Sequence, residues 1–202
     1  MTRTSLERLK AKDHAAFLAA AVCAVVSILI WMLWVLPVAG SIDDARPVPI
    51  GRTIAVDLSE GQTVGIWASG RSAALGSMDC TVTDVHGSEV PQSGGSSLRW
   101  DDVLWWMTPR RGFEQHSQIT ASEAGEYVVR CEDSLDTYDG EFLVAGDSFG
   151  TGDVGLGRTG GSDYSIGAIL VFCAVLCPPV AVLIPAVILL RRLFTRRGRM
   201  PR

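Results

Sequence analysis

The chain has 202 residues, which leaves room for one ordinary domain and little more. Apolar residues make up 48% of it and the net charge is −4, which together exclude a disordered chain and a basic nucleic-acid binder. The apolar residues are not evenly spread: two long runs flank a polar middle, so a bundle of many spanning helices is excluded as well.

Residues 1–14 carry Arg3, Arg8, Lys10 and Lys12 ahead of the first run. Residues 15–40 hold no charge, and as a helix they would rise about 39 Å, against a hydrocarbon core of about 30 Å. Val38, Ala39 and Gly40 are small enough for a cleavage site. The apolar core is much longer than that of a cleaved leader, so an uncleaved signal anchor is expected. The second helix is expected over 163–190, followed by an Arg-rich tail at 191–202. Its Arg191, Arg192, Arg196, Arg197 and Arg199 are candidates for contact with anionic lipid headgroups, and equally serve as a stop-transfer signal. The segment between the runs has 8 Arg against 20 Asp plus Glu. Basic flanks stay in the cytoplasm, so both termini are expected there and residues 41–165 outside. The expected setting is therefore a cell membrane crossed twice, with the lipid bilayer as the first partner.

Five cysteines occur. Cys80 and Cys131 alone lie in the external segment, where thiols oxidise, and they are expected to form a disulfide. It would close a loop of about 50 residues, which in the chain-entropy model stabilises by roughly 4 kcal/mol. Cys173 and Cys177 share one face of the second helix, with Cys23 at a similar depth in the first; small packing residues are the expected reading. No asparagine is present, so there is no N-glycosylation sequon. Abundant Ala, Gly, Val and Arg with 2 Lys fits a GC-rich bacterial genome.

The external segment, 41–145, opens with a Pro-containing link and continues in short alternating stretches. Ile54, Val56 and Leu58 share one strand face, and Val64 and Ile66 continue the pattern past a turn at Glu60-Gly61-Gln62. Cys80 alternates with Val82, and Tyr127 and Val129 with Cys131; Phe142 and Val144 close the series. Short strands separated by Gly and Ser turns predict an all-β, jelly-roll-like sandwich, with the disulfide expected to reach across its core between strands and between sheets. Residues 146–162 hold seven glycines and read as a flexible tether. Pro178, Pro179 and Pro185 predict a kink or local unwinding in the second helix, with a neighbouring helix covering the freed carbonyls.

Three stretches, 58–66, 80–90 and 119–129, together with the closing strand at 139–144, resemble bacterial pre-peptidase C-terminal-type domains, which are small jelly-roll sandwiches. The resemblance implies a domain that binds or chaperones rather than catalyses. The disulfide and a Trp-rich insertion at 100–107 depart from that pattern. Ala124-Gly-Glu-Tyr127 is also similar to an immunoglobulin tyrosine corner, but Tyr127 lies four residues before the cysteine where that fold has two. The whole layout resembles small two-span membrane proteins common in actinobacteria.

No nucleophile, base and acid share a motif. His86 falls in a turn and His116 on an outward parity, and both read as solvated; Asp101, Asp102 and Glu114 are a weak cation site. No enzyme activity, cofactor or metal is therefore expected. The densest unusual feature is Trp100, Trp105 and Trp106 followed by Arg110 and Arg111, which reads either as core packing or as a contact surface for an envelope protein partner. The expected function is a non-catalytic accessory or interaction module of the envelope, with room for a homo-oligomer. The alternative is a ligand sensor that relays through the Pro-containing helix.

Overall fold

The computed structural model describes residues 3–94, 100–150, 153–155 and 163–197. In chain order these form helix α1 (Arg3–Ile30), a π-helical turn (Trp31–Val35), α2 (Leu36–Asp44), β1 (Val48–Pro49), β2 (Thr53–Leu58) and β3 (Thr63–Gly70). There follow α3 (Arg71–Ala74), β4 (Met78–Thr83), α4 (Trp100–Leu104), a 3₁₀ turn (Trp105–Met107), β5 (Glu114–Thr120) and β6 (Gly125–Asp133). The chain ends in β7 (Gly140–Gly146), β8 (Asp153–Gly155), β9 (Asp163–Ser165) and α5 (Ile166–Arg197). Two compact units result, divided after Trp34 and before Phe172.

Two stretches are long and apolar enough to cross a membrane, Asp13–Asp44 and Ile166–Phe194, of 32 and 29 residues. The first passes through the π turn, and Pro37 explains it. Proline has no N–H for the Leu33 carbonyl and its ring crowds that turn, so the helix widens by one residue just before it. Pro178, Pro179 and Pro185, where a kink or local unwinding is expected, all lie inside α5. Pro178 cannot donate to the carbonyl four residues earlier, that of Ala174. The Trp31 indole Nε1 donates to that oxygen at 3.1 Å. A carbonyl left bare among apolar side chains would cost 1–3 kcal/mol by general experience, so Trp31 is the neighbour that makes the proline tolerable.

At the other end of the pair, Arg192 donates to Asp13 at 2.8 Å and lies 5.9 Å over the Phe17 ring. Trp31 against Ala174 and Asp13 against Arg192 make α1 and α5 antiparallel, with the start of one beside the end of the other. Small residues line the contact: Ala20, Ser27 and Ala174 are buried. Cys23, Cys173 and Cys177 are free thiols, half-buried and grouped around Cys177.

The β-unit holds two antiparallel sheets. One has the order β1-β7-β3-β5 and the other β2-β6-β4. From β1 to β7, successive strands alternate between the sheets, so every pairing joins segments distant in sequence. One hydrophobic cluster draws on both sheets, with Ile66, Ala68, Ile119 and Phe142 from the first and Leu58, Val82, Tyr127 and Val129 from the second. The alternation read from sequence places these residues inward. Tyr127 adds a local brace, its hydroxyl donating to the Glu123 carbonyl at 2.9 Å, as in a tyrosine corner.

The Cys80–Cys131 disulfide is present, but it does not reach between sheets as the alternation suggested. The two residues are direct register partners on β4 and β6 of one sheet, 4.0 Å apart at Cα. Both side chains point to the core because both strands belong to the same sheet, and the bond staples an edge strand to its neighbour.

The outer face of the four-stranded sheet is also covered. Trp67 is fully buried there, with its Nε1 donating to the Gly146 carbonyl at 3.0 Å. Beside it Gln115 is fully buried. Its amide donates to Asp147 at 2.6 Å, and its oxygen accepts from the Ser148 N–H at 2.7 Å and the Ser148 hydroxyl at 2.6 Å. Gly65 makes room: a Cβ there would sit 2.7 Å from the Gln115 side chain and 2.9 Å from the Trp67 nitrogen. The segment expected as an open tether is therefore anchored at its start, and Asp147 also accepts from the N–H groups of Phe149 and Gly150. Further on, β8 pairs with β9, and the helix begins at Ile166 rather than 163.

Replacing Trp31 with Phe keeps the ring and removes the N–H. It should lower the stability of the helix pair by about 0.6–2 kcal/mol, read as an earlier midpoint when the full chain in mild detergent is titrated with a denaturing one.

Candidate interaction surface

The Trp-rich segment folds as a helical turn, and that decides which tryptophans are buried. Trp100 and Leu104 are four residues apart, so they fall on one face of α4. Trp100 is 1% exposed and Leu104 is fully buried. The Trp100 Nε1 donates to the Thr108 hydroxyl at 3.0 Å, so the ring is both packed and satisfied. The chain then tightens into the 3₁₀ turn, and Trp105 and Trp106 leave the buried face. They are 62% and 56% exposed. Of the three, Trp100 is a core residue and no candidate for partner contact, while Trp105 and Trp106 form the surface.

The two arginines after the turn also separate. Arg110 is half-buried and spent inside the fold. Its Nε donates to the Ile42 carbonyl at 3.2 Å, and its Nη2 to those of Asp43 and Ala45 at 3.2 and 2.9 Å. These carbonyls end α2, where the last helical turn has no backbone donors of its own and the helix dipole is negative. A guanidinium is suited to this because its fork holds several donors in one plane. Arg110 is therefore a helix cap and not a partner contact, whereas Arg111 is exposed.

The same helix is held from the sheet side. The Gly146 N–H donates to the Ser41 hydroxyl at 2.8 Å, and Ser41 donates in turn to the Val38 carbonyl at 2.7 Å. A Cβ on Gly146 would stand 2.8 Å from that hydroxyl, so the glycine permits the close approach. Val35, Val38, Ala39 and Ile42 are buried as a result. The start of α5 is fixed in this unit too, with the Gly167 N–H donating to the Phe149 carbonyl at 2.7 Å.

A second ordered feature is the loop after β6. The Asp133 carboxylate accepts from the Ser77 and Ser72 hydroxyls and from the backbone N–H groups of Thr137 and Tyr138. The Ser77 hydroxyl above all, with the two N–H groups, holds its carboxyl well below the usual carboxylate range. In the turn after β4, Asp84 is held low in the same sense, chiefly by the Ser88 N–H. Nearby His86 faces Glu123 at 3.3 Å, and both are exposed. The side chain of Asp101 lies outside the described residues, Asp102 and Glu114 are exposed, and His116 is half-buried. Among the described residues no group of three or more His, Cys, Asp or Glu side chains has the arrangement to hold a metal ion.

Of the candidate headgroup residues, Arg192 is paired with Asp13, and Arg191 is exposed. The side chains of Arg196 and Arg197 and the whole of Arg199 lie outside the described residues. A scan of the chain against family models and a search of curated proteins found no match.

Arg110→Ala should destabilise the β-unit by about 2–4 kcal/mol, since it strips charge-assisted bonds from three carbonyls. Trp105→Ala should change it by less than about 0.5 kcal/mol. Thermal unfolding of the two variants, each as the full chain, compares them directly. A depressed folded-state pKa stabilises above the unfolded carboxyl value of about 4 and is lost as pH falls below it. Asp133→Asn should therefore lower the melting temperature at pH 7, and the gap to the parent should close on acidification below about pH 4.

Proposed function

We propose that this chain is a two-span protein of the cell envelope whose β-domain, outside the cytoplasm, is a non-catalytic accessory or interaction module. In this reading the two sheets close as a jelly-roll-like sandwich of the pre-peptidase C-terminal kind, and the basic flanks of α1 and α5 hold both termini in the cytoplasm. The partners are then the bilayer and an envelope protein.

The observation that carries the reading is the exposure of Trp105 and Trp106 on a turn whose two ends are immobilised. Trp100 and Leu104 lock one end in the core, and Arg110 ties the other to α2. Exposing two indoles is costly for a soluble surface, and rigid aromatic side chains give much contact area for little lost entropy.

The test is co-purification of the tagged full chain from its native membrane in mild detergent, beside a Trp105→Ala/Trp106→Ala variant. A chain that co-purifies in stoichiometric amount with the parent and is lost from the variant is the expected result. If neither sample brings down such a chain, the interaction reading is wrong.

A further inference from the structure

The edge of the three-stranded sheet offers a more specific surface. Strand β2 pairs with β6 along its whole length, and among the described residues no strand pairs with its other edge. Exposed edges in natural proteins are commonly short, blocked by proline or strewn with charge. Strand β2 is six residues long, has no proline, and has Asp57 as its one charged residue. Beside the edge runs an open groove of about 520 Å³. Val56, Leu58 and Val144 give it an apolar floor, and Asp44 and Asp57 are its charged groups. Val56 and Val144 pack against the core yet remain half-buried, so the core is not closed over at this side.

We infer that the free edge of β2 and this groove are a docking site for an extended segment of a partner protein, one that alternates apolar with basic side chains. Such a segment would lie alongside β2 and extend the three-stranded sheet by one strand. Its backbone would take up the free N–H and C=O groups of β2. Alternate side chains of a strand point to opposite faces, so one set would cover Val56 and Val144. Charge selects the occupant. The groove carries two carboxylates and no Lys or Arg lines it, and the whole segment between the helices is net acidic. A second copy of this chain would bring its own Asp57 and the same acidic domain, so a basic segment is favoured over self-pairing. The inference rests on the reading of the β-domain as an interaction module and names the chemistry of what it binds.

The experiment uses the full chain in lipid nanodiscs. The probe is an octapeptide alternating valine and arginine, with a valine–glutamate octapeptide as control. The expected result is that the arginine peptide slows amide hydrogen exchange at 53–58 by about tenfold or more and the glutamate peptide does not. An Asp44→Lys/Asp57→Lys variant, altered at two exposed positions, should transfer the preference to the glutamate peptide. Equal protection by both peptides, or protection elsewhere in the domain, would overturn the inference. So would amides 53–58 already protected without peptide in a particle that light scattering shows to be a dimer, which would give the edge to a second copy. Loss of this site leaves co-purification through Trp105 and Trp106 untouched, so the two readings fail separately.

Discussion

The guanidinium of Arg110 on the carbonyls of Ile42, Asp43 and Ala45 is the interaction on which the β-unit depends. A helix that ends against a folded domain must find donors for its last carbonyls, because water no longer reaches all of them. Arg110 supplies three, from a segment 65 or more residues away in sequence. Its position then fixes other things. It ties the segment after the 3₁₀ turn to the end of α2, the helix that also meets β7 through Ser41 and Gly146. The whole of α2 therefore belongs to the β-unit.

Much of the β-unit was legible because its strands obey a strict period of two. Ile54, Val56 and Leu58, then Cys80 and Val82, then Tyr127, Val129 and Cys131 all face the core as their parity requires. Parity says which face a residue takes but not which strand lies alongside. That is why the disulfide was expected to cross between sheets: both cysteines pointed inward, and only the register of β4 on β6 shows that they share a sheet. The Trp segment stays open between core and surface for a related reason. A period of two cannot bury Trp100 without splitting Trp105 from Trp106, whereas a helical turn pairs Trp100 with Leu104 and turns both later tryptophans outward. The spacing of four between Trp100 and Leu104 was the available signal.

Other contacts had no signal in a single sequence. Nothing marks Gln115 as buried, since its polarity argues for the surface. Its environment is made by a glycine on β3 and a turn after β7, two elements it meets only in three dimensions. The glycines of 146–150 read as a tether by composition, yet Gly146 is there to admit a helix and Gly150 to accept a close neighbour at Ile166 and Gly167. Glycine permits flexibility and close packing equally, and only the packed neighbour distinguishes them.

The prolines show the same limit from the other side. Four prolines fall in or near the long helices, and each removes one backbone donor. Pro37 is answered by widening the helix, at the π turn. Pro178 is answered by an indole from the opposite helix, which bonds the carbonyl left bare. The first solution is local and the second requires α1 and α5 to stay in register. A helix pair held by such a bond resists sliding, because a shift of one residue would leave the Ala174 oxygen without its donor. The bond at Pro178 is therefore a constraint on how the two helices pair. That bears on the choice between an accessory protein and a sensor. A relay needs two arrangements of similar energy, and here one arrangement satisfies a group that a displaced helix would abandon.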